Sequence, residues 1–68
     1  MAGIKNYLPQ NIKSLRMAYG ESQMDLAFAI GLDSPSAISN YEKGIRNPKP
    51  EVRKKLAEHF RVTEEQLM

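Results

Sequence analysis

The sequence of 68 residues predicts an all-α fold of five short helices in one small domain. Glycine and proline divide the chain into segments of helical length. Within these segments apolar residues recur at spacings of three and four, the period of a helix with one buried face. No segment alternates polar and apolar residues as a half-buried strand does. We therefore divide the chain into an N-terminal arm, residues 1–7, and one domain, residues 8–68.

Proline, serine and glycine bound the first two predicted helices. The first helix is expected to start near Pro9, because proline is favoured in a first helical turn, and to stop before Gly20. Its buried stripe consists of Leu8, Ile12, Leu15 and Tyr19. The second is expected to begin at Ser22, whose hydroxyl can accept a free amide of the first turn, and to end at Gly31. Its buried positions are Leu26, Ala27 and Ile30.

The same signals predict a third helix and a loop behind it. The third helix opens with Ser34–Pro35, a capping hydroxyl followed by proline at the first helical position. It runs to about Lys43 and is closed by Gly44. The segment from Ile45 to Pro50 is predicted to be an extended loop, because a residue that precedes proline is disfavoured in the α region.

Two helices complete the predicted domain. The fourth spans roughly Glu51 to Phe60, and its buried positions are Val52, Leu56, Ala57 and Phe60. The fifth is capped by Thr63 and runs to Met68. Gln66 is placed to complete a capping box with Thr63, and Leu67 is expected to face the core.

Composition excludes several classes of protein. Without cysteine the chain forms no disulfide and no cysteine-based zinc site. With a single histidine it lacks most parts of the common nucleophile–base pairs. We therefore expect no catalytic residues, no metal site, no cofactor, no small-molecule substrate and no enzymatic activity. No apolar run is long enough to span a bilayer, and the N-terminus lacks a secretory pattern, which together predict a soluble, cytoplasmic protein without membrane contact.

The distribution of charge is more informative than the net charge of +2. Basic residues concentrate at Lys43, Arg46, Lys49, Arg53, Lys54 and Lys55. Against them stand only Glu51 and, at the edge of the segment, Glu42. A basic run taken alone is most often a solvated face. Because this run directly follows the third helix, it favours contact with the phosphates of a nucleic acid.

The third helix separates small polar side chains from apolar ones. At about 100° per residue, Tyr41 and Glu42 lie within about 60° of Ile38 and share its inward side. The outward side carries Ser36, Ser39, Asn40 and Lys43. An asparagine there can pair bidentately with adenine N6 and N7, which discriminates by ~1–3 kcal/mol. Such a face is common on surface helices; the cap, the tight turn before it and the basic loop after it favour base reading in a DNA groove.

These features are similar to a known family. The segments that carry the resemblance are Leu15–Arg16, Ser22–Ala27, Ile30–Gly31, Ala37–Gly44, Arg46–Pro48, Leu56–Ala57, Phe60, Val62 and Leu67. Over about residues 8–68 the chain resembles the helix-turn-helix domains of the lambdoid phage repressors and Cro proteins, the XRE-type family. The resemblance implies a transcriptional regulator whose third helix enters the major groove of double-stranded DNA, and a weak homodimer on a palindromic operator.

The outward face of the third helix and the resemblance together assign roles to individual residues. We expect base reading by Pro35, Ser36, Ser39 and Asn40. Phosphate contact falls to Gln23, Ser34, Lys43, Arg46, Asn47 and Lys49. Arg16 and Glu42 are expected to form a largely buried ion pair between the first and third helices, since Glu42 would be costly there unpaired. The expected dimer surface includes Arg61, Val62 and Leu67.

The chain departs from the family pattern in two places. The turn before the third helix is one residue longer, by Asp33 or Ser34, so it stays open which residue at the start of that helix reaches the bases. Met24 and Phe28 stand where the family usually has polar residues. They either pack under the N-terminal segment, through Ile4 or Tyr7, or form a partner-binding patch. The second reading supports an alternative function, a protein-interaction module such as an antitoxin.

His59, the single histidine, is expected to favour its helix dipole or to cap a carbonyl.

Overall fold

Five helices and no strand make up residues 7–68, the part of the chain that the computed structural model describes. In chain order they are α1 (Leu8–Ala18), α2 (Gln23–Ala29), α3 (Ser36–Lys43), α4 (Pro50–Phe60) and α5 (Glu64–Leu67). The predicted all-α class and the order of the helices are confirmed. Residues 1–6, which include most of the predicted arm, lie outside the described residues.

Two serine or threonine caps form as predicted. The Ser22 hydroxyl accepts the amide of Asp25 at 2.9 Å, and the Asp25 carboxylate accepts the amide of Ser22 at 3.0 Å. These bonds favour the ionised carboxylate, and the backbone bond from Ser22 is the main reason that the pKa of Asp25 lies below its ordinary value. Thr63 and Gln66 form the equivalent capping box at the start of α5.

The predicted cap of α3 is wrong. Pro35, and not Ser34, occupies the N-cap position, and no side chain caps the helix. The preceding turn explains the shift. Gly31 adopts φ +85°, and the amide of Leu32 donates to the carbonyl of Ala27 at 2.8 Å. This closure leaves Ser34 exposed in a bend ahead of the helix.

The core is assembled from every helix. Its buried members are Leu8, Ile12, Leu26, Ala27, Ile30, Ile38, Tyr41, Leu56, Ala57, Phe60 and Leu67. Spacing or helical angle alone predicts an inward or buried position for every one of them. Tyr19 departs from prediction, since it is half-exposed and donates its hydroxyl to the carbonyl of Phe60 at 2.9 Å.

Packing places α3 against both α1 and α2, with α5 against α1 and α4. The two ends of the described chain meet. The Asn11 carboxamide donates to the carbonyl of Leu67 at 2.8 Å, and the amide of Tyr7 donates to the carbonyl of Met68 at 3.0 Å. Within residues 7–68 no helix combines the length and the hydropathy that crossing a membrane requires.

The cap at the start of α2 gives a first stability prediction. Ser22→Ala removes the hydroxyl that accepts the Asp25 amide, so the free energy of unfolding should fall by about 1 kcal/mol. Ser14→Ala is the matched control, because Ser14 is exposed within α1 and alanine is the better helix former there. Urea unfolding followed by circular dichroism measures both. Equal stability of the two variants would contradict the role of the cap.

Candidate nucleic-acid interface

The outward face of α3 carries the predicted polar side chains. Ile38 and Tyr41 are buried beneath the helix. On the opposite side Ser36 and Lys43 are exposed, while Ser39 and Asn40 are half-buried. The angular separation expected from the sequence is therefore present, and α3 offers a polar ridge backed by core.

The start of this ridge borders a shallow depression between α2 and α3. Its volume is about 270 Å³, and its lining consists of Gln23, Pro35, Ser36, Ser39 and Asn40. The four predicted base-reading residues thus meet in one concavity, together with the residue that opens α2. The side chains of Ser36, Ser39 and Asn40 make no hydrogen bond within the described protein. Their donors and acceptors are free for a ligand.

Gln23 has a partner within the protein that the sequence did not predict. Its Nε2 donates to Oε1 of Glu42 at 3.1 Å. Its carboxamide is half-buried and held across the gap between α2 and α3. One N–H and the carbonyl oxygen of that carboxamide remain available at the depression.

An ion pair joins Arg16 to Glu42 behind the ridge. Nε of Arg16 lies 2.7 Å from Oε2 of Glu42, and a second guanidinium nitrogen lies 3.1 Å from Oε1. The two side chains are only 13% and 5% exposed. The hydrogen bond to Glu42 is the largest reason that the pKa of Arg16 lies above its ordinary value. The remaining guanidinium nitrogen donates to the backbone carbonyl of Glu21 at 2.8 Å.

His59 makes a contact that its sequence context does not reveal. Its Nε2 lies 2.7 Å from Oε2 of Glu21, whereas we had expected a contact with the helix end. The other carboxylate oxygen of Glu21 is buried without a partner in the described chain. The ring of His59 also packs edge-on against Phe60, with centroids 5.0 Å apart. These contacts join α4 to the turn between α1 and α2.

The basic loop follows α3 directly. Gly44 adopts φ +74°, and the carbonyl of Asn40 accepts the amide of Ile45 at 3.1 Å. Pro48 is buried and anchors the loop. The predicted phosphate-contacting residues of this segment, Arg46, Asn47 and Lys49, are all exposed. Ser34, on the other side of α3, is exposed but does not line the depression.

The structure answers two questions about apolar side chains, whether Met24 and Phe28 are covered and whether Leu67 is at the surface. Met24 and Phe28 are 48% and 58% exposed, so neither belongs to the core. Ile4, one of the residues expected to cover them, lies outside the described residues. Leu67 is completely buried, so its side chain cannot form part of the expected dimer surface.

The buried ion pair gives a second stability prediction. Glu42→Ala leaves the guanidinium of Arg16 largely buried without its carboxylate, which should lower the free energy of unfolding by roughly 3–5 kcal/mol. The matched control is Glu64→Ala, which breaks the exposed pair with Arg53 and should lower it by less than about 1 kcal/mol. Chemical denaturation measures both values. If the two variants lose the same stability, the buried pair does not have the role assigned to it.

Known proteins share this architecture. The restriction-modification controller protein C.AhdI from Aeromonas hydrophila is 36% identical, with 90% of this chain and 91% of that chain covered and a TM-score of 0.80. The P22 c2 repressor, solved in complex with the synthetic operator 9T in the presence of Tl⁺, has a TM-score of 0.86 at 22% identity. That match covers 94% of this chain and 96% of the repressor chain, and it shows the fold. No curated protein sequence matches this chain.

The family assignment rests on the extent of these matches. The model of the helix-turn-helix family HTH_3 matches residues 12–67, which is most of the chain. The resemblance noted from the sequence is thereby confirmed. This chain belongs to the helix-turn-helix family HTH_3, the XRE-type group of non-enzymatic, Cro/C1-type DNA-binding transcriptional regulators.

Proposed function

We propose that this protein regulates transcription by binding a palindromic operator as a homodimer, with α3 of each protomer in the major groove. The observation that carries the proposal is the depression at the start of α3, where four uncharged polar side chains and a proline converge. The hydroxyls and the Asn40 carboxamide there have no partner in the protein. These hydrogen-bonding groups lie together on the outward face of α3 and are open to contact from outside, an arrangement that suits a ligand rich in donors and acceptors such as the edges of base pairs.

Within this proposal the polar residues divide into two groups. Pro35, Ser36, Ser39 and Asn40 read base edges. Gln23, Ser34, Lys43, Arg46, Asn47 and Lys49 contact the phosphates that flank the groove. The exposed basic loop supports this division, because it lies at the end of α3 and carries cations where the backbone would pass. Phosphate contacts position the protein, and base contacts supply sequence preference.

A dimer follows from the size of the reading element. The eight residues of α3 extend about 12 Å and cover only a few base pairs. Two copies related by a two-fold axis would read half-sites about 10 base pairs apart. The similar proteins accord with this use, since one is a controller protein and the other a repressor in complex with a synthetic operator. A regulator of this kind acts in the cytoplasm of a bacterium or a phage-infected host.

Arg61 supports a dimer surface at the end of α4. It is exposed and adopts φ 58°, a left-handed conformation that glycine takes with less strain. The residue with positive φ that follows each of α1, α2 and α3 is a glycine. Because arginine takes this conformation at the end of α4, we assign its exposed side chain a role. We place Arg61 and the half-buried Val62 at the contact between protomers, and exclude the buried Leu67.

Selection of bound duplexes from a random DNA library tests the proposal. We expect a palindrome with half-sites about 10 base pairs apart, bound ~10³-fold or more above random DNA. Uniform weak binding that disappears at modest salt would contradict it, because that behaviour needs only phosphate contacts.

The division of roles gives a third prediction. Asn40→Ala should lose discrimination at one base position of each half-site. Lys49→Ala should weaken binding to all sequences alike and reduce the slope of log affinity against log salt by roughly one unit. Lys13→Ala, at an exposed position of α1, is the matched control and should leave both quantities unchanged. Fluorescence anisotropy on operator and random duplexes measures them. Identical behaviour of the Asn40 and Lys49 variants would contradict the assignment.

The exposure of Met24 and Phe28 favours a second candidate function, a protein-interaction module of the same fold such as an antitoxin. The two side chains lie four residues apart on α2 and so share one face.

A fourth prediction separates the two functions. For a DNA reader, Phe28→Ser leaves operator affinity unchanged and Asn40→Ala lowers it. For an interaction module, Phe28→Ser abolishes binding to the partner protein and Asn40→Ala does not, as isothermal titration calorimetry would measure.

A further inference from the structure

We infer that the depression between α2 and α3 selects adenine–thymine base pairs, with Asn40 bound to an adenine and the ring of Pro35 against a thymine methyl group. This inference rests on the proposed function, in which α3 lies in the major groove. It goes further by naming the bases. The chemistry of the lining, the preformed position of Gln23 and the place of Pro35 at the start of α3 each support it.

The lining contains no charged side chain. It offers the carboxamides of Gln23 and Asn40, two serine hydroxyls and one proline ring. In the major groove guanine presents two acceptors, N7 and O6, which arginine or lysine satisfies best. The nearest cation on the same helix is Lys43, which does not line the depression. The depression therefore lacks the groups that would select guanine.

Asn40 matches adenine. Its carboxamide places a donor beside an acceptor, the complement of adenine N7 and the N6 amino group. Opposite guanine the carboxamide oxygen would face O6, and one of the two hydrogen bonds would be replaced by a repulsive contact. The side chain is half-buried and has no partner in the protein. A group already withdrawn from much of its water is left unsatisfied by the wrong base.

Gln23 forms one side of the same depression, and its carboxamide is already held in place. Its Nε2 is held by Oε1 of Glu42 at 3.1 Å, and Glu42 is held in turn by Arg16 at 2.7 Å. The carboxamide therefore does not need to be ordered when DNA binds. Glu42 acts here as a positioning residue. Discrimination between bases is sharper when the groups that make it are fixed beforehand.

Pro35 supplies the apolar surface of the depression. Its carbonyl accepts the amide of Ser39 at 2.9 Å, which fixes the residue at the first turn of α3. The thymine methyl group is the apolar feature that distinguishes base edges in the major groove. Pro35 and Asn40 are five residues apart, which is about 7.5 Å along a helix and about 140° around it. The two side chains therefore reach different base pairs, and the thymine should lie within a few base pairs of the adenine in the same half-site.

Base analogues placed singly in the selected operator test this inference. The probe 7-deaza-2′-deoxyadenosine removes N7, and deoxyuridine in place of thymidine removes the methyl group. We expect one adenine in each half-site where the deaza analogue lowers affinity by about 5- to 100-fold. In the same half-site we expect one thymine where deoxyuridine lowers affinity by about fourfold. Fluorescence anisotropy at fixed salt measures both.

Protein variants assign each effect to its residue. Asn40→Ala should be insensitive to the deaza analogue while keeping its response to deoxyuridine. Pro35→Ser should show the converse; serine is a favourable N-cap residue, so the start of α3 is preserved. Asn47→Ala is the matched control, since it makes the same change at an exposed, phosphate-contacting site outside the depression and should weaken binding to natural and analogue duplexes by the same factor. It should retain both responses. Retention of the deaza effect by Asn40→Ala would overturn the assignment.

Inosine–cytosine pairs distinguish base reading from a response to groove shape. They present the major-groove pattern of guanine–cytosine but, like adenine–thymine, carry no amino group in the minor groove. We expect them to bind as poorly as guanine–cytosine at the same positions. Affinity equal to that of adenine–thymine would overturn this inference, as would a sequence-specific operator that is indifferent to all three analogues. Selection that yields no preferred sequence would instead overturn the proposed function itself.

Discussion

The ion pair between Arg16 and Glu42 is the interaction on which the geometry of the interface depends. It joins α1 to α3 with two hydrogen bonds, and each partner extends the connection. Glu42 reaches α2 through Gln23, and Arg16 reaches the turn between α1 and α2 through the carbonyl of Glu21. Removal of both charges from most of their water is costly unless they are well paired. The same arrangement that satisfies them therefore fixes the direction of α3 relative to α1 and α2.

The hydrogen bonds of this ion pair orient α3 in a way that the apolar core alone does not. A helix of eight residues is only marginally stable in water, so α3 owes both its existence and its orientation to tertiary contacts. It contributes only Ile38 and Tyr41 to the buried core, and apolar contact is non-directional. The hydrogen bonds of Glu42 are directional. They hold the rotation of α3 about its axis, which decides which side chains stand outward.

The fold was predictable because each helix signals its ends and its buried face locally. The spacing of apolar residues predicts the core, and the caps at Ser22 and Thr63 form as the sequence predicts. The errors occur where structure depends on residues far apart or on turn closure. His59 and Glu21 are 38 positions apart, and no local pattern connects them. Ser34 loses its capping position because the turn closes through Gly31 and Leu32.

The interface was predictable in position but not in organisation. The angle of Asn40 on its helix follows from helical periodicity, whereas its gathering with Gln23 and Pro35 into one depression depends on how two helices meet. Gln23 shows the limit most clearly. The sequence predicts a phosphate contact for it, and the structure adds a hydrogen bond to Glu42 that holds its carboxamide beside α3. Neighbouring side chains in the depression have no partner in the described protein, so their donors and acceptors are available to a ligand. Their arrangement depends on Glu42, which is bonded to both Arg16 and Gln23 and so ties the position of the depression to the buried ion pair rather than to any local pattern.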